Sequence, residues 1–268
     1  HEVFLFCLTY GHQKLNENIN GIQIRRYKSN KIIYKLSALS YDFFGYRMIM
    51  KPKIDDFIKE NSIEVIHIHD IRIAEAVFLS NKKYQLKIVL DLHDNIPENM
   101  KFYPHLHKFP GKYIISPAKW KKKEREFIER ANKVIAVSPE FLENLEERIP
   151  ASKDKLVLVP NTIRQSFYKD YQVEEAIKNR YKDDFVILYL GDTHLRRGLQ
   201  TAIESICYLK EIIPNIRLVI VGRNTTDVIL KQKVVSLKLE DFVDFEGWQN
   251  VSLFQSYILA SDICISPL

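Results

Sequence analysis

The stretch Phe185-Val-Ile-Leu-Tyr-Leu-Gly191-Asp-Thr-His-Leu-Arg196-Arg197-Gly198 decides how this chain is read. An apolar run ends in a glycine, a short polar loop follows, and a second glycine opens the helical pattern Leu199, Ala202, Ile203, Ile206, Leu209, Ile213. Unbroken apolar character, in place of strict alternation, marks a strand covered by helices on both faces. A strand that passes through a loop into a helix begins a parallel crossover unit, so the expected class is α/β. Working outward, the same texture predicts strands at residues 3–8, 64–69, 87–92, 134–137 and 156–159. In the second half it predicts them at 217–221, 242–245 and 263–266. Between strands, Trp120, Phe127, Ile128 and Ala131 share one helical face, with Lys121, Lys122, Lys123, Glu124 and Arg125 turned outward. Ser138-Pro139-Glu140 reads as a helix start, with a serine cap, a proline at the first helical position and an early carboxylate.

Composition narrows the class. The 268 residues are 46% hydrophobic, enough to give two domains a core each, which excludes a disordered chain. Forty Lys or Arg against 34 Asp or Glu give a net charge of +6, too modest for a polycationic tail. Cys7, Cys207 and Cys264 form no close pair, which argues against a disulfide framework or a cysteine zinc site and for a reducing compartment. No apolar run reaches the roughly 20 residues of a membrane-spanning helix, and no secretion signal opens the chain. The chain begins against one apparent strand and stops in another, so both ends are expected to be missing. The polar stretch 160–184 sets the expected division: a first domain over 1–160, a linker over 161–184 and a partial second domain over 185–268.

The loop after residue 190 is suited to an anion. Glycine lets backbone approach a ligand, a helix N-terminus presents free N–H groups, and Arg196 and Arg197 supply charge with bidentate geometry. A plain turn at Gly191 with solvated arginines fits the spacing equally well. Neither G-x-G-x-x-G nor G-x-x-x-x-G-K-[ST] is present, which weakens nicotinamide or P-loop chemistry. Arg217-Leu-Val-Ile-Val-Gly222 ends in glycine as well and is followed by Arg223 and Asn224, so a second loop should stand on the same carboxyl edge, where open α/β sheets bind ligands. Glu246-Gly247-Trp248 would add a third, with Trp248 available to a planar base or, equally, to the core.

In the first half, Asp91-Leu-His93-Asp94-Asn-Ile-Pro97-Glu98 crowds an imidazole with carboxylates, a setting for proton transfer, for hydroxyl recognition, or for a simple structural hydrogen bond. His67-Ile-His69-Asp70 lacks a third ligand, so no metal is expected there. Residues 101–133 hold ten Lys or Arg against three Glu, interleaved with Phe102, Tyr103, Phe109, Tyr113, Ile114, Ile115 and Trp120. Lys119, Trp120, Lys121, Lys122, Lys123 and Arg125 are therefore the expected contacts with an anionic membrane surface; a solvated helix face is the alternative. No nucleic-acid recognition motif accompanies the charge.

Taken in order, these segments resemble the GT-B glycosyltransferases of family 4. The resemblance is carried by Glu64-Val-Ile-His-Ile-His-Asp70, Leu90-Asp-Leu-His93-Asp94 through Glu98, Ala131-Asn-Lys-Val-Ile-Ala-Val-Ser138 and Val157-Leu-Val-Pro-Asn161. It continues through Tyr189-Leu-Gly191 to Gly198, Val219-Ile-Val-Gly222, Phe245-Glu-Gly247 and Ala260-Ser-Asp-Ile-Cys-Ile-Ser-Pro267. It implies two Rossmann-like parallel-sheet domains facing a cleft, the second truncated, and a retaining transfer of sugar from a nucleoside diphosphate sugar to a saccharide or lipid-linked acceptor in cell-surface polysaccharide synthesis. Catalytic weight would fall on His93 and Arg197. The donor would meet Gly191, Arg196, Arg197, Gly222, Arg223, Glu246, Gly247 and Trp248, and the acceptor side would hold Asp94 and Glu98. Asp192 departs from the family's second basic residue, with Arg196 as its substitute. No metal or other cofactor is implied, and the place would be the cytoplasm, peripheral on the inner membrane face. The family's glycine-rich N-terminal loop and the C-terminal glutamates that bind donor ribose and sugar are expected to lie outside residues 1–268, so the fragment itself would be inactive. A non-catalytic nucleotide- or phosphate-binding module and a sugar-nucleotide epimerase of the same fold stand as alternatives.

Overall fold

The computed structural model describes residues 1–268 except 40, 42, 101, 102, 104, 105, 108, 110, 170 and 268, and only the backbone of 166 and 168. Phe102, with the lysines at 101 and 108, thus lies outside the described residues. The chain divides into two compact units, His1–Thr162 and Ile163–Leu268.

The first unit holds β1 (Val3–Thr9), β2 (Asn16–Ile19), β3 (Ile22–Lys28), β4 (Val65–His69), β5 (Lys87–Leu92), β6 (Lys133–Ala136) and β7 (Leu156–Leu158). The last four form a wholly parallel sheet in the order β4-β5-β6-β7. Its core joins Ile68, Leu90, Val134 and Ala136 to Met50 and Ile54 of helix Gly45–Glu60, Phe78 of helix Ala74–Tyr84, and Phe127 and Ile128 of helix Pro117–Arg130. The hairpin of β2 and β3 was not expected. It is antiparallel and turns at Asn20 and Gly21, at φ of 52° and 84°, the pair of positive values a type I′ turn needs. β1 pairs parallel to β3, making a separate sheet in the order β1-β3-β2.

The second unit holds β8 (Phe185–Leu190), β9 (Ile216–Val221), β10 (Val243–Gly247) and β11 (Ile263–Cys264), all parallel, in the order β10-β9-β8-β11. Ile187, Leu218 and Ile220 face Leu199, Ile203 and Ile206 of helix Leu199–Leu209, while Val186, Leu188 and Val219 face Tyr181 and Tyr257. Covering on both faces is what the continuous apolar runs require. Each expected strand occurs within two residues of its predicted limits.

Two expectations fail on helix Pro117–Arg130. Trp120, assigned to a lipid surface, is 2% exposed and packs on Tyr41 with ring centroids 4.6 Å apart. Glu124, read as outward, is fully buried and paired with Arg148. The reason is helical period: 120, 124, 127, 128 and 131 form one stripe, and Glu124 falls inside it.

Candidate active site

At the carboxyl edge of the second unit, backbone does the joining. The Gly191 N–H donates to the Val221 carbonyl at 3.0 Å and the Gly222 N–H to the Gly247 carbonyl at 2.8 Å. A Cβ at Gly222 would stand 1.7 Å from the Gly191 oxygen, so only glycine allows the two loops to approach. Side chains then lock them. Asn224 Nδ2 donates to Asp192 Oδ1 at 2.7 Å, the Thr193 hydroxyl donates to Asp227, and the Asn224 N–H donates to the same Asp227 carboxylate at 3.2 Å. Gly198, at φ 71°, begins helix Leu199–Leu209 with no side-chain cap, and its Cα lies so close to the Pro267 carbonyl that a Cβ would meet it at 1.6 Å.

These loops surround a cavity of about 230 Å³ lined by Tyr189, Leu190, Gly191, Asp192, Arg197, Ile265 and Ser266. Arg197 Nε is buried and has no hydrogen-bond partner among the described residues; its nearest anion, Asp192 Oδ2, is 3.9 Å away, too far for a hydrogen bond. Burial raises the Tyr189 phenol above its ordinary range, with Arg197 partly offsetting, and its hydroxyl donates to the Asp192 carbonyl at 2.7 Å. The structure thus brings Gly191 and Arg197 to one cavity and sets Gly222 against Gly191. Arg196, Arg223 and Trp248 are exposed and outside the lining, as is half-buried Gly247. Glu246 is committed elsewhere: it accepts from Tyr181 at 3.0 Å and Tyr257 at 2.7 Å and pairs with Arg180 at 2.9 Å. Burial, and then Glu246 itself, push both phenols well above their ordinary range. Sequence reading missed this cluster because its partners are distant along the chain, Tyr181 lying 65 residues from Glu246.

In the first unit, His93 follows β5 and meets Asp91 Oδ2 through Nε2 at 3.0 Å, while His67 Nε2 reaches the same oxygen at 2.9 Å. The His69 ring stacks on that of His93 with centroids 4.0 Å apart. Burial raises the Asp70 carboxyl above the usual range, and neighbouring His69 draws it back. Asp94 uses its carbonyl to accept from the Ile96 N–H at 2.8 Å, and Glu98 pairs with Lys121 at 2.8 Å. On the adjoining helix Lys119, Lys121, Lys122 and Arg125 are exposed, whereas Lys123 is half-buried between Glu75 and Glu126. Among the described residues no group of three or more His, Cys, Asp or Glu is arranged for a metal ion, and no helix is long and apolar enough to cross a membrane.

Two units, each built on a four-stranded parallel sheet, the second with glycine-ended strands and a guanidinium in its loop cavity, define a Rossmann-like α/β protein of the GT-B kind. The profile of Glycosyltransferase Family 4 matches residues 1–167, and that of Glycosyl transferases group 1 matches residues 170–268. The chain belongs to glycosyltransferase family 4. Its fold is similar to sucrose-phosphate synthase of Thermosynechococcus elongatus, at 16% identity and TM-score 0.72 over 99% of this chain and 65% of that one. It is similar also to Anabaena HepE in complex with UDP, at 13% identity and TM-score 0.65 over 91% of this chain and 60% of that one. A trehalose-6-phosphate synthase, at 11% identity and TM-score 0.68, is covered over 71% of its length by 97% of this chain. The chain thus spans less than two thirds of the first two of these proteins. No curated protein sequence matches it.

Proposed function

We propose that this chain serves a retaining hexosyltransferase that uses a nucleoside diphosphate sugar and transfers to a saccharide or lipid-linked acceptor in cell-surface polysaccharide synthesis. The observation that carries the proposal is Arg197, whose buried, unpartnered Nε stands in a cavity beside Gly191 and an uncapped helix. A diphosphate oxygen supplies the missing acceptor. As the glycosidic bond breaks, negative charge grows on the leaving diphosphate, and the guanidinium and helix N–H groups stabilise that charge more than the ground state. Fixed protein charge then stands where a metal would otherwise be needed. HepE, bound to UDP, supports uracil as the base, and exposed Trp248 offers it a stacking face. Gly247, Arg223 and Arg196 would complete the donor contacts, while Glu246, held by two tyrosines, would act only by fixing β10. In the first unit His93 would bind sugar hydroxyls, with Asp94 and Glu98 toward the acceptor.

The same reading places the protein in the cytoplasm on an anionic membrane face. Phe109 and Tyr113, 85% and 77% exposed, stand beside Lys112 and replace Trp120 as the apolar part of that surface, with Lys119, Lys121, Lys122 and Arg125 as its charge.

Calorimetric titration tests the donor site. Arg197→Ala should weaken UDP binding by about 10- to 100-fold, the scale of one charge-assisted hydrogen bond, and leave uridine unchanged; equal losses overturn the assignment. A turnover assay of the full-length protein with UDP-sugar and acceptor completes the test: binding without turnover leaves a nucleotide-binding module, and an epimerised donor without transfer indicates an epimerase.

A further inference from the structure

Three imidazoles, those of His67, His69 and His93, gather with the Asp91 and Asp70 carboxylates where β4 and β5 end. The β4–β5 register sets His69 beside Asp91 and His67 beside Val89. Residues two apart on a strand share a face, so His67, His69 and Asp91 project together. Asp91 is 8% exposed, and its Oδ2 meets both His67 Nε2 and His93 Nε2 while Oδ1 is buried without a partner among the described residues. An ionised carboxylate has no hydrogen to give, so at each contact the hydrogen must sit on the ring. A neutral imidazole carries a single N–H, and when that is Nε2–H the other nitrogen, Nδ1, is an acceptor. Rotation of the carboxylate would break one contact in making any other, so His67 braces the oxygen that His93 uses. His69, stacked on His93 with 16° between the rings, closes one face of it. The Asp70 N–H donates to the Asp91 carbonyl at 2.9 Å and fixes the strand beneath.

We propose that Asp91, braced by His67, is a positioning residue that fixes neutral His93 as its Nε2–H tautomer and so presents Nδ1 as a hydrogen-bond acceptor for a sugar hydroxyl. The tautomer follows from this cluster alone; that Nδ1 meets a sugar rests on the glycosyltransferase reading above.

Long-range proton–nitrogen correlation spectra of histidine-labelled full chain, recorded well above the ordinary imidazole pKa, read the tautomer directly. His93 is assigned by the signal lost in His93→Gln. The expected result is Nε2–H in the native chain. In Asp91→Asn, where the amide can donate to the ring, the Nδ1–H share should rise about tenfold, the scale of one charge-assisted hydrogen bond. A native Nδ1–H form, or a ratio unmoved by Asp91→Asn, overturns the proposal; if that variant does not fold, the native spectrum decides alone. In a turnover assay of the full-length protein Asp91→Asn should lower kcat by about 10- to 100-fold, with the Kd for UDP unchanged. Nε2–H without any sugar transfer would leave the positioning intact and sink the functional reading. Transfer with Nδ1–H would do the reverse.

Discussion

At the carboxyl edge of β8, β9 and β10, glycine N–H groups join one loop to the next, whereas at the carboxyl edge of β4 and β5 two imidazoles converge on Asp91. The first arrangement fixes backbone at contact distance and leaves Arg197 Nε without an acceptor among the described residues; the second fixes side chains through charge. The backbone-built edge should therefore be intolerant of volume, and the side-chain-built edge intolerant of a change in hydrogen-bond polarity.

The sharpest way to break this contrast is Gly222→Ala. Its Cβ would collide with the Gly191 oxygen, and a shift there must move a loop, so the second unit should lose about 3 kcal/mol in urea denaturation. Asp91→Asn, which adds no volume, should lose less than about 1.5 kcal/mol. If the two losses are equal, the distinction fails. Gly247→Ala refines it. Gly247 also has positive φ, 68°, but a Cβ there meets nothing within 4 Å, so only backbone strain remains, about 1–2 kcal/mol by the same measurement. Asp192→Asn keeps an acceptor for Asn224 while removing the charge beside Arg197; UDP should bind about threefold more tightly in calorimetry, in keeping with a half-exposed pair. Unchanged or weaker binding would show that Arg197 does not meet phosphate.

The smallest effect concerns Glu124. Burial raises its carboxyl above the usual range, with Arg148 pulling the other way. A raised folded-state value means the neutral form is favoured by the fold: the contribution is full below the unfolded value, about 4.3, and fades as pH rises through the folded one. The stability of the wild type relative to Glu124→Gln should therefore fall as pH rises across that window, read from denaturation midpoints at each pH. A relative gain would contradict the burial assignment.

Much of the architecture was legible because continuous apolar runs and helical stripes are local signals. Ser138 caps helix Pro139–Arg148, accepting from the Phe141 N–H at 3.2 Å, as its position predicted. The β2–β3 hairpin was missed although Asn20-Gly21 is a strong local turn signal, because polar Asn16-Glu17-Asn18 and Arg25-Arg26 break the continuous apolar run that marks the other strands. Trp120 was misplaced because a basic, aromatic-rich composition does not say which side of a helix each residue takes. Arg197 was legible from the glycine loop. The convergence of His67 on Asp91 was not: it depends on strand pairing across 24 residues. Glu246 misled for a related reason, since position beside Gly247 does not reveal that Arg180 and two tyrosines already hold it.

The chain has two tryptophans, Trp120 enclosed in the first unit and Trp248 70% exposed in the second. Each unit thereby carries its own fluorophore. Trp120 emits from an apolar enclosure and shifts to the red when the first unit opens, whereas Trp248 is already in water and is reached by dissolved iodide. Collisional quenching therefore reports on the second unit while the first is still folded, and a nucleobase laid over the Trp248 indole would register as a loss of light.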